Sequence, residues 1–177
     1  MPRDDSEAMF EAMGRTFFGK YRALVTSNED PTGRGRLQVT VPTVMGDERL
    51  WALPCAPYAG DQVGFFALPP NGTSVWVEFE GGDPTYPIWV GCFWGDGQIP
   101  SGDAVPGVKF WKTDQTTLRI DDTEGSIVIE TAGGAKITVG PTGVEIEGAE
   151  VKQSANGMVT KLDATGFDVN NGAFSVM

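Results

Sequence analysis

The sequence predicts an all-β protein in two parts, a small closed barrel and a tail of short repeated strands, preceded by a short N-terminal helix. Three observations carry this prediction. Apolar residues alternate with polar ones along most of the chain, the mark of half-buried strands. Glycine and proline supply 24 and 12 of the 177 residues, so turns are frequent and elements short. From residue 118 onward, pairs of aliphatics at i and i+2 recur between turn signals at a spacing of roughly eight residues, the pattern of a stacked repeat.

Residues 1–18 read as the helix. Met9, Phe10, Met13, Phe17 and Phe18 recur at helical spacing, and acidic residues lead the segment, as a helix N-terminus prefers. So short a helix must cover its apolar stripe, either on its own domain or on a partner. The acidic start, Met1-Pro2-Arg3-Asp4-Asp5, offers no signal peptide.

Five strands are expected next. Residues 21–26 alternate and are rich in β-formers, and Asn28-Glu29-Asp30-Pro31-Thr32-Gly33 is a turn cluster. Residues 36–41 alternate strictly, with Leu37, Val39 and Val41 on one face, and Pro42 ends the run. Residues 50–53 form a third run. Residues 54–70, rich in Pro and Gly, are expected to be irregular. Residues 73–79 form a fourth strand with Val75, Val77 and Phe79 inward, and residues 86–94 a fifth. Five short strands without an intervening strong helix match a Greek-key barrel of the OB type.

The composition of residues 95–107 is that of a linker. The expected organisation is therefore a helical segment at 1–18, a barrel at 19–97, a linker at 98–107 and a β-repeat region at 108–177.

Within the repeat, Ile127/Ile129, Ile137/Val139 and Val144/Ile146 form the clearest pairs, and Val159, Phe167 and Val169 continue the apolar series. Two buried aliphatics per rung contribute less than the entropy lost in ordering the rung. A single chain would also leave strand edges and an apolar face in water. Three chains around one axis remove both problems, so the tail is expected to trimerise as a triangular prism.

Composition excludes several functions. With 13 Lys+Arg against 24 Asp+Glu the net charge is −11, which repels nucleic acid and favours solubility. There is no histidine, hence no imidazole base, no imidazole metal ligand and no Ser-His or Cys-His pair. No apolar run is long enough to span a bilayer as a helix. Cys55 and Cys92 form no CxxC, and each lies in an apolar stretch. They read as buried free thiols of a reducing compartment, with a mutual disulfide as the alternative.

A family resemblance rests on a long ordered string: Gly19-Lys20-Tyr21-Arg22-Ala23-Leu24-Val25, Gly35-Arg36-Leu37-Gln38-Val39-Thr40-Val41-Pro42, Pro57-Tyr58-Ala59-Gly60, Gly64-Phe65, Leu68-Pro69, Val75-Trp76-Val77-Glu78-Phe79-Glu80-Gly81-Gly82-Asp83-Pro84 and Tyr86-Pro87-Ile88-Trp89-Val90-Gly91. Over about 80 residues this resembles the OB domain of the phage baseplate assembly protein V and VgrG spike family, an extent far more specific than one motif. The tail resembles the family's trimeric needle.

The resemblance implies an OB-fold barrel followed by a triple-stranded β-helix or β-prism needle. It implies a homotrimeric central spike in the baseplate of a phage tail or related injection particle, assembled in the cytoplasm. Such a spike joins the hub at the end of the tail tube to the tip and pierces the target membrane. Unlike some relatives, the sequence shows no fused hub domain, no lysozyme domain and no HxH iron site. The expected partners are therefore a separate hub chain, met by the Met9, Phe10, Met13, Phe17 and Phe18 stripe, and a separate PAAR-like tip, met by Phe174, Ser175, Val176 and Met177. No cofactor, metal or catalytic residue is expected. An OB-fold oligosaccharide or nucleic-acid binder is the alternative.

Other motifs read as scaffold. Gly33-Arg34-Gly35-Arg36 precedes a strand and lacks a phosphate-loop frame. Glu78, Glu80 and Asp83 read as a solvated face. Asp114, Asp121, Asp122 and Glu124 lack the calcium-loop spacing. Trp51, Trp76, Trp89, Trp94 and Trp111 have few cations between them and read as packing residues.

Overall fold

A computed structural model describes residue 14 and residues 16–176. The chain divides into two units, Met1–Gln98 and Ile99–Met177, and each is described by itself.

In the first unit, β1 (Tyr21–Ser27), β2 (Leu37–Thr40), β3 (Arg49–Pro54), β6 (Ser74–Phe79) and β7 (Pro87–Cys92) close a barrel in the order β1-β2-β3-β7-β6. All pairings are antiparallel except β3 with β7, where Leu53 faces Ile88 and Pro54 faces Trp89. This is the Greek-key closure of an OB fold. The alternation does what it predicts: Leu37, Val39, Val41, Val75 and Val77 are fully buried, with Ala23, Val25, Ala52 and Phe79 completing the core. Pairing slips between Val25 and Ser27 and between Trp76 and Val77, irregularities of the kind that bend strands around a small barrel. A single-turn helix, α1 (Pro42–Met45), follows β2.

Residues 54–70 are not wholly irregular. A small hairpin, β4 (Ala59–Gly60) with β5 (Val63–Gly64), projects between β3 and β6. Cys55 and Cys92 are free but exposed, not buried. Cys55 already lies in the segment that leaves β3, and Cys92 is the last residue of β7. The apolar residues before each lie in β3 and β7, with Ala52 in the core and Trp89 packed on it, but the thiols themselves stand at the strand ends in solvent.

Asp30 organises the turn between β1 and β2. Its carboxylate accepts the backbone N–H groups of Thr32 (3.0 Å) and Arg34 (2.8 Å), and the Arg36 guanidinium through Nε (3.1 Å) and Nη2 (2.8 Å). Arg36 in turn stacks 5.2 Å from the Trp51 ring centroid. The Arg36 guanidinium, helped by the two backbone donors, holds the Asp30 carboxyl far below the usual carboxylate range. Because the folded value lies below the unfolded one, the turn's contribution is complete above about pH 4 and is lost as the pH falls further. Thermal melts of the barrel are therefore expected to fall in Tm below about pH 4, and Asp30→Asn should lower Tm at neutral pH while flattening that acid slope. An unchanged slope would show that Asp30 does not carry it.

The second unit is a succession of antiparallel hairpins. One sheet contains β8 (Val108–Lys112), β9 (Thr116–Asp121), β10 (Ser126–Thr131), β11 (Lys136–Gly140) and β12 (Gly143–Glu147), in consecutive order. A second contains β13 (Glu150–Ala155), β14 (Met158–Asp163), β15 (Gly166–Val169) and β16 (Phe174–Val176), likewise consecutive. The repeat is thus a meander, each strand pairing with its sequence neighbours, and not a coil within one chain. Its turns carry the expected chemistry: Asn156 and Gly157, joining β13 to β14, both have positive φ (50° and 84°), as a tight hairpin requires.

The predicted N-terminal helix lies largely outside the described residues, as do Met9, Phe10 and Met13. Residues 16–18 are not helical. The Phe17 N–H donates to the Gly82 carbonyl (2.8 Å), and the Phe17 ring packs edge-on against Tyr21 and Phe79, each at 6.1 Å between centroids. Among the described residues, no helix is long and apolar enough to cross a membrane.

Candidate assembly surface

The register of the first C-terminal sheet aligns its aliphatics into two rows. Leu118, Ile129, Ile137 and Ile146 are directly opposite one another on successive strands, and Trp111 extends the row onto β8. Ile120, Ile127, Val139 and Val144 form the second row, with Lys109 at its end. Residues two apart on a strand share a face, so both rows lie on one side of the sheet. None of these aliphatics is buried within the chain; Ile137 is 40% exposed and Val144 66%. The six residues Ile127, Ile129, Ile137, Val139, Val144 and Ile146 therefore share one face of the sheet. Leu118 and Ile120 belong with them, and the same spacing in the sequence marks them.

The other face is mostly polar, with half-buried Val108, Phe110 and Val128 among an internally paired set of charges. Arg119 donates to Asp103 (3.1 Å) and Asp121 (2.8 Å). Asp121 also accepts the backbone N–H groups of Thr123 and Glu124, and these bonds with Arg119 hold its carboxyl below the usual range. Lys136 lies 3.3 Å from Glu147. The acidic residues near 121 thus serve the turn and the ion pair. Among the described residues, no group of three His, Cys, Asp or Glu is placed to hold a metal.

In the second sheet Val151, Leu162, Phe167 and Val176 form one cross-strand row, and Gln153, Thr160, Val169 and Phe174 the next on the same face. Val159 lies on the opposite face, paired with Ser154, on the side that carries Lys161 and Asp163. This corrects its grouping with Phe167 and Val169. The strand period is two, and the pairing of Leu162 with Phe167 puts Leu162, not Val159, on the apolar side. Phe174 and Val176 are exposed on the edge strand β16, whereas Ser175 points to the other face, in the row of Asp168 and Lys161. Met177 lies outside the described residues.

The remaining predicted contact residues separate. Phe17 is half-buried against the barrel core, whereas Phe18 is 70% exposed. A Cβ on Gly82 would stand 3.0 Å from the Thr16 Cβ and 3.1 Å from the Phe18 ring, so these side chains would have to shift to admit one. Of the tryptophans, Trp89 packs on the barrel core, Trp76 stacks with Phe93 at 4.7 Å under the Arg22 guanidinium, and Trp94 and Trp111 are exposed.

Residues 21–94 match the family model of the type VI secretion system/phage-baseplate injector OB domain. Residues 108–175 match the model of the phage baseplate V C-terminal trimerisation domain. The two matches cover the barrel and both C-terminal sheets in order. The chain belongs to the phage baseplate V family. No curated protein matches it. The families matched are structural baseplate components, and the doubled aliphatic rows of this chain fall inside the match to the trimerisation domain.

Proposed function

We propose that three copies of the chain form the central spike of a contractile injection baseplate. One observation carries the reading: two in-register rows of aliphatics, exposed in the single chain, run across four strands of a domain matched to a trimerisation model. Wrapping three such faces around an axis makes a prism with a dry centre and leaves the charged faces in water. Ile127, Ile129, Ile137, Val139, Val144 and Ile146 form its core, continued by Phe167 and Val169, with Leu162 in the place assigned to Val159. The barrel joins the tube hub, and the prism points at the target envelope and pierces it.

In this reading Met9, Phe10, Met13 and the exposed Phe18 meet the hub, and Phe17 anchors that segment to the barrel. At the other end, three copies of the edge strand with Phe174 and Val176, continued by Met177, offer an apolar seat with open backbone groups for a PAAR-like tip, Ser175 lying on the outer face. The particle assembles in the cytoplasm and the protein needs no cofactor.

Light scattering on the purified chain tests the reading: the molar mass is expected to be three times 18.9 kDa. Titration with a PAAR-like protein should give one tip per trimer, and a version ending at Asn171 should bind at least tenfold more weakly, as loss of a central apolar anchor does. A monomeric mass would overturn the trimer, and equal tip binding would overturn the tip assignment.

A further inference from the structure

The apolar face of the second C-terminal sheet is interrupted at one place. Gln153 on β13 and Thr160 on β14 are directly opposite each other, and the Thr160 hydroxyl donates to Oε1 of Gln153 across a long bond of 3.4 Å, so both side chains stand on the same face. Apolar residues flank the pair on that face. Val151 and Leu162 form the next pair on one side, Ala155 and Met158 the next on the other, and Val169 follows Thr160 along the row. Gln153 is exposed in the single chain and Thr160 half-buried. Among the described residues, the amide hydrogens of Gln153 meet no acceptor.

The first C-terminal sheet has no such interruption: from β9 to β12 both rows are aliphatic throughout. Rows of that kind supply burial but no register. A copy displaced by two strands sets Leu118 against Ile137 and Ile129 against Ile146, one aliphatic in place of another. A polar group enclosed in an apolar centre behaves differently. It is tolerated where a partner completes its hydrogen bonds and penalised where it meets only hydrocarbon. In coiled coils a single buried polar position fixes register and the number of chains on this ground, at some cost in stability. Glutamine suits a threefold axis, because its side chain carries both donors and an acceptor, so each copy can donate to the next and close a ring.

We propose that Gln153, positioned by Thr160, forms a polar layer on the axis of the trimer that sets the register of the chains and fixes their number at three. This rests on the trimeric reading above and names the residues that give it specificity. The amide of each Gln153 donates to the Gln153–Thr160 pair of the next copy. Displacement by two strands sets Gln153 against Val169 and Thr160 against Phe174, and the amide then has no acceptor.

The test uses the full chain with Cys55→Ser and Cys92→Ser, both exposed positions, and a nitroxide label on a cysteine in place of Lys152, which neighbours Gln153 on the opposite face. Pulsed dipolar spectroscopy on the trimer is expected to give one label-to-label distance, as threefold symmetry in a single register requires. Gln153→Leu with Thr160→Val in that background should melt at the same or a higher temperature and give either further distances or, by native mass spectrometry, oligomers other than trimers. A double variant that stays purely trimeric with the one distance overturns the proposal alone. A second measurement needs no variant. In wild-type chains labelled with 15N at glutamine, the side-chain amide of Gln153 should exchange with solvent at least about tenfold more slowly than that of the exposed Gln115. Equal exchange in a trimer overturns the proposal as well. A monomeric mass overturns the trimeric reading and this proposal with it.

Discussion

Ile137→Asp is expected to abolish assembly. Ile137 is central in its row, between Ile129 and Ile146. In the trimer the substitution would place three carboxylates together in a dry core, where each unpaired charge costs on the order of several kcal/mol. Light scattering should then show monomer or aggregate, and the β-signal of the C-terminal sheets should melt at much lower temperature. The matched control is Val128→Asp. Val128 is one residue from Ile129 on β10 but faces the polar side, opposite Arg119. Val128 is half-buried there, so that variant is expected to remain trimeric while melting at a somewhat lower temperature than wild type. A trimer with Ile137→Asp and wild-type melting would mean that the aliphatic face is not the axis.

Leu37→Ala is expected to cripple the barrel and spare the trimer. Leu37 is completely buried among Val39, Val75 and the rest of the barrel core. Removing its side-chain methyls leaves a cavity and costs about 2–5 kcal/mol. In a domain of this size that corresponds to a fall in Tm of roughly 10–30 °C. The C-terminal unit has its own strands and its own apolar rows, so molar mass should stay trimeric between the two melting temperatures. Simultaneous loss of trimer and barrel at one temperature would show that the units unfold together.

The strands were legible in the sequence wherever alternation was strict. Leu37, Val39 and Val41, or Ile137 and Val139, declare a face because one side of the strand meets apolar surface and the other does not. The hairpin at 59–64 was illegible for the converse reason: neither of its faces is buried, so no period is imposed. Cys55 and Cys92 are exposed despite their apolar neighbours because each stands at a strand end, past the residues that reach the core, such as Ala52 and Trp89. Val159 misled because Met158 to Asp163 alternates ambiguously, and only its partner β15 decides which residues face which way. Of the candidate site, the doubled row was readable as i, i+2 pairs. That the rows align across strands follows from the tight turns, which set the register.

The meander has a further consequence, in the kinetics of folding. The barrel closes by pairing Tyr21 with Val77 and Leu53 with Ile88, long loops that must be closed before any core forms. The C-terminal sheets pair Ile120 with Ile127 and Ile129 with Ile137, neighbours across short turns, and contacts so local form early and fast. The part of the chain that pairs most readily is thus the part that buries least by itself. Its hairpins can exist before partners arrive, and their apolar face then remains open until two other chains are found. Assembly is the slow, concentration-dependent step, and aggregation competes with it for the same surface.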